Sequence, residues 1–213
     1  MASDQPINAT YLDDGVPTPI SVNPPQIYQA QVELYNELMR NNITVYVITA
    51  ASEELVRMVA SDPKYGYNVP PENVFGVATL LRNATSGALT NSQLQIANDE
   101  YDQSANLALV YTPTLWSPLT WYSGKWAAIL EYIDQWKKPV LVAGDTPTSD
   151  GYMLFHGVDV RKGGIHLWVN RRESYFEDLQ EMISENAAAQ QKEGLEVTAD
   201  KNWVVVTPEQ ILD

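Results

Sequence analysis

The chain has 213 residues, 45% hydrophobic and 19% charged, enough for one domain with a buried core. Twenty-seven acids against thirteen bases give a formal net charge of −14, which argues against nucleic acid as a partner. The absence of cysteine excludes disulfides, thiolate metal sites and cysteine nucleophiles, and no apolar run is long enough to span a membrane.

In chain order, residues 1–25 carry Pro6, Pro17, Pro19, Pro24 and Pro25 around Asp13-Asp14-Gly15, and predict a loop-rich lead-in. The opening MASDQPINAT shows no signal-peptide pattern. Asn23 before Pro24 reads as a helix start. Ile27, Ala30, Leu34 and Leu38 then keep helical spacing to about Arg40, and Asn41-Asn42 end it. ITVYVIT at 43–49 is apolar and β-branched, as expected of a strand covered on both faces. A second helix follows with Leu55, Val56 and Val59 on its inner side. ENVFGV at 72–77 predicts a short strand, and the turn-rich stretch 79–111 a hairpin excursion. GKWAAILEYIDQW at 124–136 predicts an amphipathic helix with Trp126, Ile129, Leu130 and Ile133 inward. Strands follow at 140–143 and 164–170, then a helix from Glu173 burying Phe176, Leu179 and Ile183, then a strand at 203–207.

Strands alternating with helices imply an α/β fold with a mostly parallel sheet, whose ligands bind beyond the carboxyl ends of the strands. Thr49 and Asp145 each follow an apolar strand and so fall on that edge. Asp145 and Asp150 are two acids in one short loop. Close carboxylates repel unless a cation relieves them, and a hard cation such as Mg²⁺ takes carboxylates and waters. The plainer alternative is an acid-rich turn in which Asp150 caps the next helix. Thr49, Ala50 and Ala51 turn a strand into a helix, where free N–H groups and a small backbone profile suit an anion, or where Thr49 or Ser52 is simply a cap. Lys125 opens a helix against the helix dipole, either as a solvated surface lysine or to neutralise a carboxylate and a phosphate.

Together VYVITAASEELVRMV, GKWAAILEYIDQW, VLVAGDTPTSDGYML and LWVNRR resemble motifs two to four of the haloacid dehalogenase superfamily, and within it the phosphorylcholine phosphatases, over about residues 26–180. The resemblance implies a Rossmann-like core and Mg²⁺-dependent phosphomonoester hydrolysis through an aspartyl-phosphate. By position, Thr49 and Ala50 would bind the phosphoryl group and Lys125 would stabilise charge on nucleophile and phosphate. Asp145 would ligate Mg²⁺, with Asp150 completing or orienting its shell. A small phosphomonoester is the implied partner, and the relatives point to an exported or periplasmic location.

The family's first motif, two aspartates one residue apart on a central strand upstream of Thr49, has no counterpart here. Residues 1–25 are too proline-rich for such a strand and read as a cap remnant, leaving 26–213 as the C-terminal part of the core. The expectation is a sheet lacking its first central strand and most of its cap. The chain alone would then be inactive, marginally stable or self-associating through the gap. The alternative is a relative that lost catalysis and serves as a binding module. Trp116, Trp121 and Tyr122 could face a quaternary ammonium but are expected chiefly in core or flap packing. His156 and His166 read as structural.

Overall fold

A computed structural model describes residues 6–22 and 26–212. Residues 7–22 of the lead-in are not a loop. Strands β1 (Ile7–Asp13) and β2 (Val16–Val22) form an antiparallel hairpin. Asp14 and Gly15 make its two-residue turn, with φ of 47° and 83° at the two positions. That is the backbone a right-twisted hairpin prefers, and Asp-Gly supplies it readily. Asp13 and Val16 face each other across the turn, so hydrogen-bonded pairing falls on alternate residues from there. Pro17 and Pro19 occupy the positions between, where no N–H is needed. The Asp-Gly turn is legible in the sequence, whereas the tolerance of the strand for proline depends on the register with its partner.

Helix α1 (Gln29–Arg40) begins later than its spacing indicates, and the Asn23–Pro24 start lies outside the described residues. The N–H groups of Gln29 and Ala30 donate instead to the carbonyls of Leu212 and Ile211, so the end of the chain closes this helix terminus. Asn41 caps the other end, followed by Asn42 at a φ of 59°.

Strand β3 (Val47–Ser52) leads directly into α2 (Glu53–Ala60) and pairs in parallel with β4 (Val74–Val77). β3 starts four residues later than its composition indicates. Val47 and Ile48 pair with Val74 and Phe75, but Ser52 already pairs with Val77, so the residues between bulge out. Val32, Val45, Ala60, Tyr67, Val69 and Val74 form the core beneath this pair.

The excursion is an antiparallel sheet of β5 (Thr79–Asn83), β6 (Leu89–Thr90) and β7 (Leu109–Leu115), with β5 central and helices α3 (Ser92–Ala97) and α4 (Gln103–Asn106) between β6 and β7. Helix α5 (Ser123–Ala128) passes into a π-helical turn over Ile129–Ile133. Ile129 is buried and Trp126 and Ile133 pack on the core, but Leu130 is exposed.

Strands β8 (Leu141–Gly144), β9 (Ile165–Val169) and β10 (Trp203–Val206) form a parallel sheet in the order β10-β9-β8. Helices α6 (Pro147–Gly157) and α7 (Glu173–Lys192) pack with it around Ile129, Val142, Leu154, Trp168 and Leu179, with Phe176 and Ile183 joining as expected. The fold is mixed α/β with two separate parallel sheets. Among the described residues no hydrogen bond joins β3 to β8, although Ile48 of β3 packs on the same core as Val142 of β8.

Candidate functional site

Gly144 ends β8, and the chain turns through Asp145 and Thr146 into α6. Four residues into that helix region, Asp150 folds back under the turn. Its Oδ2 accepts the backbone N–H groups of Asp145 and Thr146 at 2.8 and 2.9 Å. Its Oδ1 accepts Lys125 Nζ at 2.6 Å. Both residues are buried, so each charge depends on the other. Gly144 is required for this approach: a Cβ there would lie 2.6 Å from the Asp150 Cβ. Lys125 is thus the counter-ion of Asp150 and no solvated lysine. With three donors on its two oxygens, Asp150 is a clamp on the turn.

Asp145 points to a different partner. Its Oδ2 is 2.7 Å from Arg171 Nε, and its Oδ1 accepts the Thr146 hydroxyl at 2.8 Å. Arg171 Nη2 donates to Thr146 Oγ1 at 2.7 Å, closing a ring of three side chains, and the guanidinium lies over the Tyr175 ring at 5.0 Å. The two acids of the loop are therefore not a pair. Among the described residues no group of three or more His, Cys, Asp or Glu side chains is placed to hold a metal. One carboxylate already in an ion pair does not make a magnesium site, so these residues do not fit the ion by themselves.

Thr49 lies in the bulge at the end of β3. Its hydroxyl accepts its own Ala51 N–H at 3.1 Å, and its carbonyl accepts the hydroxyl of Thr120 at 2.7 Å. Thr120 is buried and stands five residues before Lys125, so it fastens the approach to α5 onto the end of β3. The carboxyl ends of β3 and β8 thus both border the start of α5, one through Thr120 and the other through the Lys125–Asp150 pair. Ala50 and Ala51 are exposed there, as is Ala143 in β8.

Sequence reasoning missed the polar side of α2. Leu55, expected inward, is 60% exposed, whereas Glu53, Glu54 and Arg57 are buried. Arg57 bonds Glu53 at 2.7 Å and Glu54 at 2.9 Å, and donates to the carbonyls of Pro71 and Val74. Glu53 also accepts from Gly76 N and Gln93 Nε2. Glu54 accepts from Ser92, Tyr101 and Asn106. Burial, and then the charge of Glu54, push the Tyr101 hydroxyl well above its usual range, so it stays a donor. The signal was there, since two acids three and four residues before an arginine share one helix face. These acids also occupy the N-terminal turn of α2, where the reading from sequence had placed an anion.

Trp121 and Tyr122 are exposed rather than packed in the core. Tyr122 has φ 53° and ψ −132°, a backbone state rare for a bulky side chain, and its ring meets that of Tyr152 at 5.0 Å. His166 is buried, stacked on Trp203 at 4.2 Å and bonded to the Lys201 carbonyl, with burial lowering its pKa. Burial also lowers that of His156, which packs beside Trp126 and Tyr152.

No protein-family model matches the chain. Phosphorylcholine phosphatase of Pseudomonas aeruginosa is 60% identical to it over 211 residues, an alignment taking in 99% of this chain. A conserved protein of unknown function from Anaerococcus prevotii shares its fold with a TM-score of 0.54, at 21% identity over 87% of this chain and 44% of that one. The chain spans 60% of the length of its Pseudomonas relative.

Proposed function

We propose that this chain forms the greater part of a phosphomonoester hydrolase of the phosphorylcholine phosphatase type, with a Rossmann-like core of the haloacid dehalogenase kind. The observation that carries this reading is the buried Lys125–Asp150 pair clamping the Asp145 turn, on a chain 60% identical to a phosphorylcholine phosphatase. A phosphoryl group at the carboxyl ends of β3 and β8 would meet the exposed turn at Thr49 and Ala50 on one side. On the other it would meet the lysine, held in place by Asp150. In this reading a carboxylate attacks phosphorus, the ester P–O bond breaks and the protonated alcohol leaves. Water then releases phosphate from the acyl-phosphate. An exported or periplasmic location belongs to the same reading.

The attacking carboxylate and the strand bearing it lie outside these residues in this proposal. The open edges of β3 and β8 and the extra length of the relative support that. Magnesium likewise belongs to the proposal for the longer protein, because a second free carboxylate would have to come from elsewhere. The test is phosphate release from phosphocholine by the purified chain, alone and mixed with the remaining two-fifths of the relative's chain prepared separately. The expected outcome is release from the mixture alone, lost in Asp145→Asn. Release by the chain alone that Asp145→Asn abolishes would place the nucleophile within these residues. A stable but inactive mixture would favour the binding-module reading.

A further inference from the structure

We infer that one water molecule is a structural part of this fold, held at the corner where the chain leaves β4 for the excursion sheet, and that it pins the excursion there. The inference is independent of the catalytic reading. A cavity of about 10 Å³ lies at that corner, about the space one water needs. Its wall includes Ser52 at the end of β3, Thr79 at the start of β5, Asn91 ahead of α3 and Tyr111 in β7. Two atoms of these wall residues, Thr79 Oγ1 and Asn91 Nδ2, are buried and have no hydrogen-bond partner among the described residues. Asn91 is 1% exposed, so bulk solvent does not serve it. Its orientation is set by α3, because its Oδ1 caps that helix by accepting the Leu94 N–H at 2.8 Å. The group left over is therefore the amide donor.

The surroundings select the occupant. A cation would meet the amide hydrogens of Asn91. An anion would meet Glu53 and Glu54, two carboxylates in the same wall with Arg57 as the counter-cation between them. Those carboxylates are already supplied with donors, Glu53 by Gly76 and Gln93 and Glu54 by Ser92, Tyr101 and Asn106. A neutral molecule that accepts on one side and donates on the other satisfies both orphans: water takes the Asn91 N–H and bonds the Thr79 hydroxyl. The corner is otherwise thinly fastened. Ala78 alone separates β4 from β5, its carbonyl accepts the Trp116 N–H at 2.8 Å, and the Ser52 and Tyr111 hydroxyls meet at 3.2 Å. The water adds a bond to β5 and one to the head of α3, joining two parts of the excursion beside the end of β3.

Thr79→Val tests this by the sign of its effect, since it swaps the hydroxyl for a methyl of the same shape. Removing a buried hydroxyl that has no partner leaves stability unchanged or raises it, whereas removing one bonded to a held water lowers it. In urea unfolding of the full chain, Thr79→Val is expected to lower the folded-to-unfolded ratio about five- to thirtyfold. In the labelled chain the Asn91 side-chain amide is expected to show a nuclear Overhauser cross-peak to water with the sign of a long-lived molecule, weakened in Thr79→Val. The amides of β5 and β7 should exchange hydrogen faster in that variant. Thr79→Ser keeps the hydroxyl, is expected to keep the cross-peak, and serves if the valine variant does not fold. No cross-peak in the unaltered chain would overturn the water, whatever the stability. A cross-peak with equal or raised stability in Thr79→Val would overturn the pinning role.

Discussion

Asp150→Asn changes one atom and leaves Lys125 as a buried charge without a partner. The expected loss is about 3–5 kcal/mol of stability, read from urea unfolding. Because Asp150 also accepts two backbone N–H groups, Lys125→Met on the asparagine background should recover only part of that loss. A second prediction concerns pH. His166 and His156 both have lowered pKa values in the folded chain, so around and below the ordinary value of 6.5 the unfolded chain binds more protons. Stability is therefore present in full above about pH 7 and lost as pH falls through 6.5 toward the folded values. Unfolding measured from about pH 7.5 to 5.5 should show that slope, and His166→Asn and His156→Asn should each flatten it. A slope of the opposite sign would mean that these rings are held charged.

At the scale of elements, α2 is the least expected. Val56 and Val59 pack on the core as expected, but beside them the helix buries a charged face on which Arg57 ties its first turn to β4 while Glu54 ties it to α3, Tyr101 and α4. Arg57→Ala would leave two carboxylates buried without their cation, and should cost about 3–5 kcal/mol. Leu55→Ala, at the position the apolar pattern had placed inward, should cost less than about 0.5 kcal/mol. Denaturant titration of both variants decides between the two faces. The helices and strands whose apolar residues recur regularly were legible: α7 and β8 to β10 lie close to their expected spans, and α1 ends where expected. β3 was displaced because composition records burial, whereas its pairing with β4 and the bulge at Thr49 depend on a strand some 25 residues further on. The hairpin at residues 7–22 was hidden for a similar reason. A proline breaks a strand only where a hydrogen bond is needed, and that depends on register with the partner.

For the whole molecule, two parallel sheets that share a core but, among the described residues, not a ladder leave β3 and β8 as neighbouring edges. Unpaired strand edges invite pairing with other chains. The chain by itself is expected to sediment as a concentration-dependent mixture in analytical ultracentrifugation, and Ala143→Lys, which puts a charge at the edge of β8, to shift it toward monomer. A monomer with one sharp cooperative melt would show that the edges are closed by other means.

The sequence alone determined the alternation of helix and strand and the polar positions at the strand ends, Thr49 and Asp145 among them. Each of these depends on local pattern or on spacing along the chain. Only the tertiary structure decided how the charged groups pair. Asp150 went to Lys125 from 25 residues away and Asp145 to Arg171 from 26, because an ion pair is settled by distance in space and by what else is buried nearby. No reading of Asp145 and Asp150 as neighbours in sequence could foresee that the fold would turn one into a buried clamp and leave the other at the surface with an arginine.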